Sequence, residues 1–202
     1  MNATPTVRAP RVAIYRSTLL PLSETFIRDQ AKSLVRWQPT LFGDTLLADR
    51  LPVDGVPMHT LGRDNRWGRL HLRADLAAER LVGHSLSRSR LLRALHPDLV
   101  HVHFATDAVI LWPSVKRLGL PMLVTLHGYD INTRADWWRA GHSGRHMRSY
   151  PDRLIAMAQH ESVHFIAVSQ AIRQSALDFG LPAERLSVKH IGVQTALFAA
   201  ED

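Results

Sequence analysis

The sequence predicts an α/β protein with a doubly wound, mostly parallel sheet. Short apolar runs rich in strand-forming residues alternate along the chain with longer segments in which apolar residues recur at helical spacing, and this alternation is typical of βαβ units. The nearly continuous apolar run Met122–Leu126 is followed at once by His127-Gly128, as expected of a strand buried on both faces of a parallel sheet. With 202 residues, the chain can form one large domain or two small ones.

The first half of a βαβ unit is predicted at residues 11–36. The run RVAIYR at 11–16 is the first strand, and 17–22 is a loop. Ser23 is a suitable helix N-cap, and Glu24 in the first turn suits the positive end of the helix dipole. Apolar residues at helical spacing extend this helix to Arg36. Residues 1–10 carry two prolines and are predicted to be a mobile arm.

Two short strands and two helices are predicted in the middle of the chain. The strands are 38–42 and 56–61, with a loop at 44–54 between them. The first helix, 65–82, has one apolar face, which consists of Trp67, Leu70, Ala74, Ala77 and Leu81. The second, 87–95, ends at His96-Pro97 because the residue before a proline disfavours the helical conformation.

The rest of the chain continues the alternation. Further strands are predicted at 99–104, 122–126, 163–168 and 186–191. Helices are predicted at 106–118, at 151–160 and from the N-cap Ser169 to Phe179. Gly119 suits the position after the first of these helices, whereas Pro113 within it predicts a kink or a restart. Residues 134–149 fit no regular pattern. The predicted domain spans 11–191, and 192–202 is predicted to begin an interdomain linker.

The composition narrows the range of partners. A net charge of +7 favours nucleic acid, phosphorylated ligands or an acidic membrane surface, although ordinary solubilising charge explains it equally well. The absence of cysteine excludes disulfides and thiolate metal sites and suits a reducing compartment. No apolar run approaches the roughly 20 residues that span a membrane. We therefore expect a soluble or peripheral protein, located in the cytoplasm or at the inner face of the membrane.

Three familiar signatures are missing from the sequence. It contains no G-x-G-x-x-G dinucleotide fingerprint, no G-K-[ST] phosphate loop and no G-x-S-x-G serine-nucleophile motif. Any anion site must therefore use the free N–H groups at helix N-termini, and those behind Ser23 are one candidate.

Four motifs, in order along the chain, carry a family resemblance. They are Pro21–Ile27 (PLSETFI), Pro97–Phe104 (PDLVHVHF), Pro121–Asp130 (PMLVTLHGYD), and Ala167-Val168-Ser169 followed by Val188–Phe198 (VKHIGVQTALF). Together they resemble the family-4 glycosyltransferases of the two-domain GT-B architecture, in particular a subgroup that acts on exopolysaccharide and other surface glycans. The resemblance implies a Rossmann-like N-terminal domain.

The resemblance also implies roles for particular residues. His127 would be the catalytic residue: its side chain would bind a hydroxyl of the transferred sugar, and its carbonyl would face the positive charge that develops at the anomeric carbon. Acceptor or substrate binding is expected from Ser23, Glu24, Thr25, His103, Gly128 and Asp130. Asp130 can instead orient the loop, and Ser23, Glu24 and Thr25 can simply cap a helix. His101 and His103 face the same side of a strand, but no third metal ligand is evident. The resemblance implies that no metal is needed. No resident cofactor is expected either, because the nucleotide-sugar is a substrate.

The function expected from the resemblance is that of the acceptor-binding domain of a retaining glycosyltransferase of hexosyltransferase type. The full enzyme would move a sugar from a nucleotide-sugar to a lipid-linked or polysaccharide acceptor. The donor domain would begin near Asp202, so this chain looks like an N-terminal half that is inactive alone and is completed by a longer frame or a second chain. The alternative is a non-catalytic Rossmann-like protein that binds a nucleotide or sugar phosphate. A nucleic-acid binder is motivated by charge alone.

Two further stretches combine charged and aromatic residues. Arg63–Arg93 contains eight arginines, Trp67 and only three acidic residues, which favours either a membrane-surface face or an ordinary solvated helix. Trp137 and Trp138 lie beside Arg134 and Arg139 after the His127 loop. If exposed, these tryptophans can stack on sugar rings; if buried, they belong to the core.

Overall fold

The computed structural model describes residues 8–62, 66–193 and 195. Its strands are β1 Arg11–Tyr15, β2 Thr18–Leu19, β3 Gln38–Gly43, β4 Thr45–Leu46, β5 Met58–Thr60, β6 Leu99–His103, β7 Met122–Leu126, β8 Val163–Ala167 and β9 Leu186–Val188. Its α-helices are α1 Thr25–Ser33, α2 Arg66–Val82, α3 Leu86–Leu95, α4 Ala105–Arg117, α5 Tyr129–Asn132, α6 Ala135–Ala140, α7 Tyr150–Ala158 and α8 Gln170–Phe179. Most of the predicted arm, 1–7, and of the predicted linker, 194 and 196–202, lies outside the described residues.

Seven strands form one parallel sheet in the order β5-β3-β1-β6-β7-β8-β9. The chain winds outward from β1 through β3 to β5, returns to the other side of β1 as β6, and then winds outward again to β9. The predicted doubly wound α/β sheet is thereby confirmed. The winding direction changes between β1 and β6, and the crevice beyond the carboxyl ends of strands at such a switch point is where open α/β sheets bind ligands.

Apolar side chains cover both faces of the sheet. On one face, Val12 and Ile14 of β1 pack with Ile27 and Ala31 of α1. On the other face, the larger core joins strand residues such as Val102, Val124 and Phe165 to helices α4, α7 and α8. Because successive strand residues point to opposite faces, β1 serves both layers: its Ala13 and Tyr15 lie in the larger core.

Several predicted element boundaries are corrected by the structure. Helix α1 begins at Thr25 and ends at Ser33, and the residue before it, Glu24, makes no side-chain cap, so the prediction of Ser23 as N-cap is wrong. The predicted loops at 17–22 and 44–54 contain β2 and β4, which pair with each other in a small second sheet. Residues 134–149, for which no pattern was found, contain α6.

Two other helices test local predictions. Helix α4 continues through Pro113 rather than restarting there, and Gly119 follows it with φ 64°, as predicted for a terminating glycine. Helix α8 is capped by Ser169, whose hydroxyl accepts a hydrogen bond from the Ile172 amide, also as predicted. None of the described helices is both long and apolar enough to cross a membrane.

Candidate active site

A cleft of about 310 Å³ opens at the carboxyl ends of the central strands. It lies between α1 on one side and residues 189–193, which follow β9, on the other. The side chains that matter most for its chemistry are Phe26, Asp29, His103, Thr125 and His127. The switch point of the strand order and the predicted catalytic residue therefore meet in one cavity.

The imidazole of His127 is fixed by aromatic neighbours. Its ring centroid lies 4.6 Å from that of Phe26 in α1 and 4.6 Å from that of Phe104 at the end of β6. Its Nε2 lies 3.1 Å from Nδ1 of His103. His127 follows β7 directly, so its position is set by the sheet and its ring orientation by three side chains from neighbouring elements.

His103 and His101 extend the polar centre beneath His127. The rings of His101 and His103 are 4.5 Å apart on the same face of β6, as their spacing predicted, and His101 Nε2 lies 2.8 Å from Thr125 Oγ1. His103 is 1% exposed, and within the described structure its Nε2 has no hydrogen-bond partner. His103 also lines the cleft, but this nitrogen itself is buried.

All three histidines are held in the neutral form. Burial lowers the pKa of His127 to about 4, with a further contribution from the positive charge of Arg16. Burial also lowers the pKa of His101 to about 4, and that of His103 falls well below its usual value for the same reason. Near pH 7 the site therefore offers uncharged imidazoles that can donate or accept hydrogen bonds without adding positive charge.

Asp130 holds the loop that follows β7. It is fully buried, and its Oδ1 accepts hydrogen bonds from the amides of His127 and Gly128 at 3.2 and 3.0 Å. Its Oδ2 accepts one from the amide of Ala105 at 2.8 Å, which satisfies a free N–H at the start of α4. Burial raises the pKa of this carboxyl group. Of the two roles considered for Asp130, this geometry corresponds to orienting the loop.

Gly128 makes the turn between His127 and α5 possible. Its φ of 133° lies in a region that residues with a side chain rarely adopt. The turn brings the backbone of residues 127–130 around the Asp130 carboxylate.

The other predicted site residues are divided between the interior and the surface. Glu24 is 5% exposed and forms an ion pair with Arg16. Its Oε1 accepts hydrogen bonds from Nη2 and Nε of Arg16, at 2.7 and 2.9 Å. Ser23 and Thr25 are exposed at the start of α1, and neither lines the cleft. Glu24 is therefore part of the buried ion pair with Arg16, and it does not line the cleft either.

Arg16 is a central residue that the sequence did not single out. Its guanidinium donates to Glu24 and, at 2.6 Å, to Asp107 of α4, so it joins the ends of β1, α1 and α4. It also lies 4.5 Å from the centroid of the Phe104 ring, which in turn contacts His127. Phe104 has a φ of 71°, an uncommon conformation for a bulky residue and one that clusters at functional sites. The sequence feature that could have identified Arg16 is its position: it is an arginine at the carboxyl end of a buried strand.

A second buried ion-pair network lies away from the cleft. Arg88 of α3 is 2% exposed and donates to Asp44 at 2.7 Å and to Glu79 of α2 at 3.1 Å. The hydroxyl of Tyr15 also donates to Asp44, at 2.9 Å. This network anchors α2 and α3 to the sheet, and it removes Arg88 from the arginines that can form a basic surface.

The cleft presents hydrogen-bonding groups. Among the residues that the structure describes, no group of three His, Asp or Glu side chains is placed to hold a metal ion. What the arrangement can do is bind an uncharged hydroxyl-bearing ligand through neutral imidazoles, beside an aromatic wall formed by Phe26.

Fold and site together define a Rossmann-like α/β domain whose binding site lies at the switch point of the strand order. The chain belongs to the glycosyltransferases of Family 4, because the model of Glycosyltransferase Family 4 matches residues 23–197. The family predicted from the four motifs is thereby confirmed. A search of curated protein sequences found no significant match.

Solved structures with a similar fold include three sugar-nucleotide or glycan enzymes. HepE of Anabaena in complex with UDP and glucose has a TM-score of 0.64 and 17% identity over 96% of this chain and 47% of its own. A UDP-N-acetylglucosamine 2-epimerase has a TM-score of 0.55 and 12% identity over 90% and 48% of the two chains. The lipopolysaccharide outer core galactosyltransferase WaaB has a TM-score of 0.51 and 15% identity over 88% and 44%. The present chain thus spans slightly less than half of each structure.

Proposed function

We propose that this chain is the N-terminal, acceptor-binding domain of a retaining glycosyltransferase of hexosyltransferase type. The complete enzyme moves a sugar from a nucleotide-sugar to a lipid-linked or polysaccharide acceptor. The observation that carries the proposal is the neutral His127 imidazole in the cleft at the switch point, in a chain that belongs to Glycosyltransferase Family 4. Residues 192–202 begin the connection to a donor domain that completes the cleft.

The roles in catalysis follow from the charge that develops during transfer. As the bond to the nucleotide breaks, positive charge builds up at the anomeric carbon, and a carbonyl dipole fixed in advance stabilises it. The Asp130 carboxylate fixes the loop that carries the His127 carbonyl. A histidine with a pKa of about 4 is uncharged near neutral pH, so its ring can bind a sugar hydroxyl without repelling this positive charge.

Two relatives support the choice of donor and acceptor. HepE is described in complex with UDP and glucose, which favours a nucleotide-sugar donor. WaaB is a galactosyltransferase of the lipopolysaccharide outer core, which favours a surface glycan or its lipid-linked precursor as the acceptor.

We also propose that the domain works at the cytoplasmic face of a membrane, with α2 toward acidic lipids. The apolar stripe of α2 faces solvent: Leu70 is 56% and Leu81 is 88% exposed, and Ala74 and Ala77 between them are exposed too. The buried side of α2 contributes Asp75, which binds Ser85 and the Ser87 amide. An apolar stripe that faces outward beside basic residues is characteristic of helices that lie in a membrane interface.

The basic residues of α2 and α3 are only partly available. Arg73, Arg90 and Arg93 are exposed, whereas Arg88 is buried in its ion pairs. Arg63 lies outside the described residues, as do the side chains of Arg66, Trp67, Arg69 and Arg80. The three exposed arginines and the outward stripe are sufficient to define the lipid-facing surface that we propose.

Nucleotide binding and sugar transfer, measured on the 202-residue chain, test the proposal. Because the donor site lies in the other domain, calorimetric titration with UDP and UDP-glucose should give a Kd of about 1 mM or weaker, near −4 kcal/mol. No sugar transfer is expected from the chain alone, and transfer should appear once the donor domain is present. Robust turnover by the chain alone would overturn the proposal, and micromolar binding of UDP would favour a non-catalytic nucleotide-binding protein.

A further inference from the structure

A second group of aromatic side chains is exposed beside the His127 loop. Tyr129 is 56% and Trp137 is 36% exposed, whereas Trp138 is fully buried. The rings of Tyr129 and Trp137 have centroids 6.5 Å apart and are nearly perpendicular, at 83°. The exposed His142 ring lies 5.5 Å from Trp137 on another side. We call Tyr129, Trp137 and His142 the aromatic corner.

The aromatic corner is coupled to the catalytic loop by buried contacts. Tyr129 is the second residue after His127. Trp137 belongs to α6, the second helix after β7. The buried Trp138 packs against Tyr150 with a centroid distance of 4.6 Å, and the Tyr150 hydroxyl donates to the carbonyl of Asp130 at 2.6 Å. The corner therefore has a fixed position relative to the loop that Asp130 organises.

The segment that carries Trp137 and His142 is rich in basic residues. Four exposed arginines lie within residues 134–148, namely Arg134, Arg139, Arg145 and Arg148, against one acidic residue, Asp136. Arg139 is paired with Asp152 at 2.9 Å, and Arg134 lies 3.9 Å from Asp136. In the part of the chain that the structure describes, Arg145 and Arg148 have no carboxylate partner. The surface therefore carries uncompensated positive charge.

Arg148 donates to the carbonyl of Ala140 at 3.4 Å, so it is held beside α6 with its charge uncompensated. Exposed aromatic rings and arginines without a carboxylate partner suit one class of ligand particularly well. The C–H face of a pyranose ring packs on an aromatic face, and arginine binds carboxylate with two parallel hydrogen bonds. Between residues 129 and 148 the exposed large apolar side chains are those of Tyr129 and Trp137, with no exposed large aliphatic side chain beside them, whereas α2 exposes Leu70 and Leu81. We propose that the aromatic corner, with Arg145 and Arg148, is a binding surface for a glycan that carries carboxylates. That this glycan is the acceptor rests on the proposed function.

Binding of two tetrasaccharides tests this surface without any donor. Tetragalacturonate carries carboxylates, whereas cellotetraose is neutral, and either can be titrated into the 202-residue chain while the indole signals are followed by NMR. Tetragalacturonate should bind more tightly, and Trp137→Ala should weaken it at least tenfold, about 1.4 kcal/mol. Arg145→Gln should weaken binding at low salt and much less at high salt. The matched control, Arg93→Gln on α3, should have no effect.

Several results would overturn the proposal. Equal binding of the two tetrasaccharides would remove the role of charge, and an unchanged affinity in a folded Trp137→Ala variant would remove the role of the aromatic corner. Loss of binding to anionic vesicles in that variant, with no effect on the tetrasaccharides, would identify a lipid-facing surface instead. Thermal melting checks that the variants fold. Folding is expected because the side chains of Trp137 and Arg145 are exposed. If the chain binds the tetrasaccharide but the complete enzyme transfers no sugar, the proposed function is refuted, whereas the proposed glycan-binding surface is still supported.

Discussion

The Nε2 atom of His127 lies 3.1 Å from the Nδ1 atom of His103. A hydrogen bond between two imidazoles requires that one nitrogen donates and the other accepts, so the two rings cannot both be doubly protonated. Their burial has the same consequence, because it lowers both pKa values. The pair is therefore a neutral hydrogen-bonding unit, and among the described residues the buried Nε2 atom of His103 has no hydrogen-bond partner.

Burial of neutral histidines predicts that stability falls in mild acid. The pKa of His101 and of His127 is about 4 in the folded protein and about 6.5 when unperturbed, so between these values the unfolded chain binds more protons. Stability should be fully present above pH 6.5 and should decrease toward pH 4, by up to about 1.4 kcal/mol per pH unit for each histidine. Urea unfolding at pH 7.5, 6.0 and 5.0 measures this slope. His127→Gln should reduce it and the exposed control His146→Gln should not; a flat profile would contradict the buried-histidine account.

Removing the charge of Arg16 should destabilise the site. Arg16→Met leaves Glu24 and Asp107 without their cation, and the cost should approach the lower end of the roughly 3–5 kcal/mol typical of broken buried pairs. Because Arg16 also lowers the pKa of His127, that pKa should rise above about 4 in the variant. Urea unfolding and NMR titration measure the two effects. Neutralising all three residues together, with Glu24→Gln and Asp107→Asn added, should restore part of the stability; equal losses in both variants would argue against the ion pairs.

The lipid-facing surface of α2 predicts selective binding to vesicles. At low salt each basic residue near an anionic surface contributes about 1 kcal/mol, so vesicle sedimentation should show binding to anionic lipid, no binding to neutral lipid, and release by salt. Leu81→Ser and Arg73→Gln should weaken this binding. Arg117→Gln, an exposed arginine at the end of α4, is the matched control. Equal binding to both lipids, or to neither, would eliminate the membrane surface.

Most of the fold could be predicted from local sequence. Three strands are short, mainly apolar runs bounded by polar residues and turns, namely Met122–Leu126, Leu99–His103 and Val163–Ala167. Such strands are well specified by their own composition. The N-cap of α1 could not be identified because tertiary contacts overrode local preference. Arg16 holds the Glu24 side chain and fixes the start of the helix beyond Ser23.

The site residues that lie within one sequence motif could be predicted. Those that come together only through long-range contacts could not. His127, Gly128 and Asp130 lie in one motif, and the structure places them in one loop. Arg16 is far in sequence from Phe104 and Asp107 and meets them only in the folded structure, at the switch point. The orientation of α2 was also hidden, because its apolar stripe normally predicts a buried face, and only the Asp75 and Glu79 contacts show that its opposite side packs inward.

The central claim is that His127 stabilises the transition state of sugar transfer, and substitution of His127 in the enzyme that contains this domain tests it most directly. His127→Ala removes a contact that strengthens as the donor bond breaks, so kcat should fall by about 10²–10³-fold, as for the loss of an oxyanion-hole donor, while KM changes much less. Steady-state kinetics together with thermal melting of the wild type and the variant make the measurement. The account predicts a large fall in kcat in a variant that still melts cooperatively above the assay temperature; a near-normal kcat, or activity lost only because the variant unfolds, would contradict it.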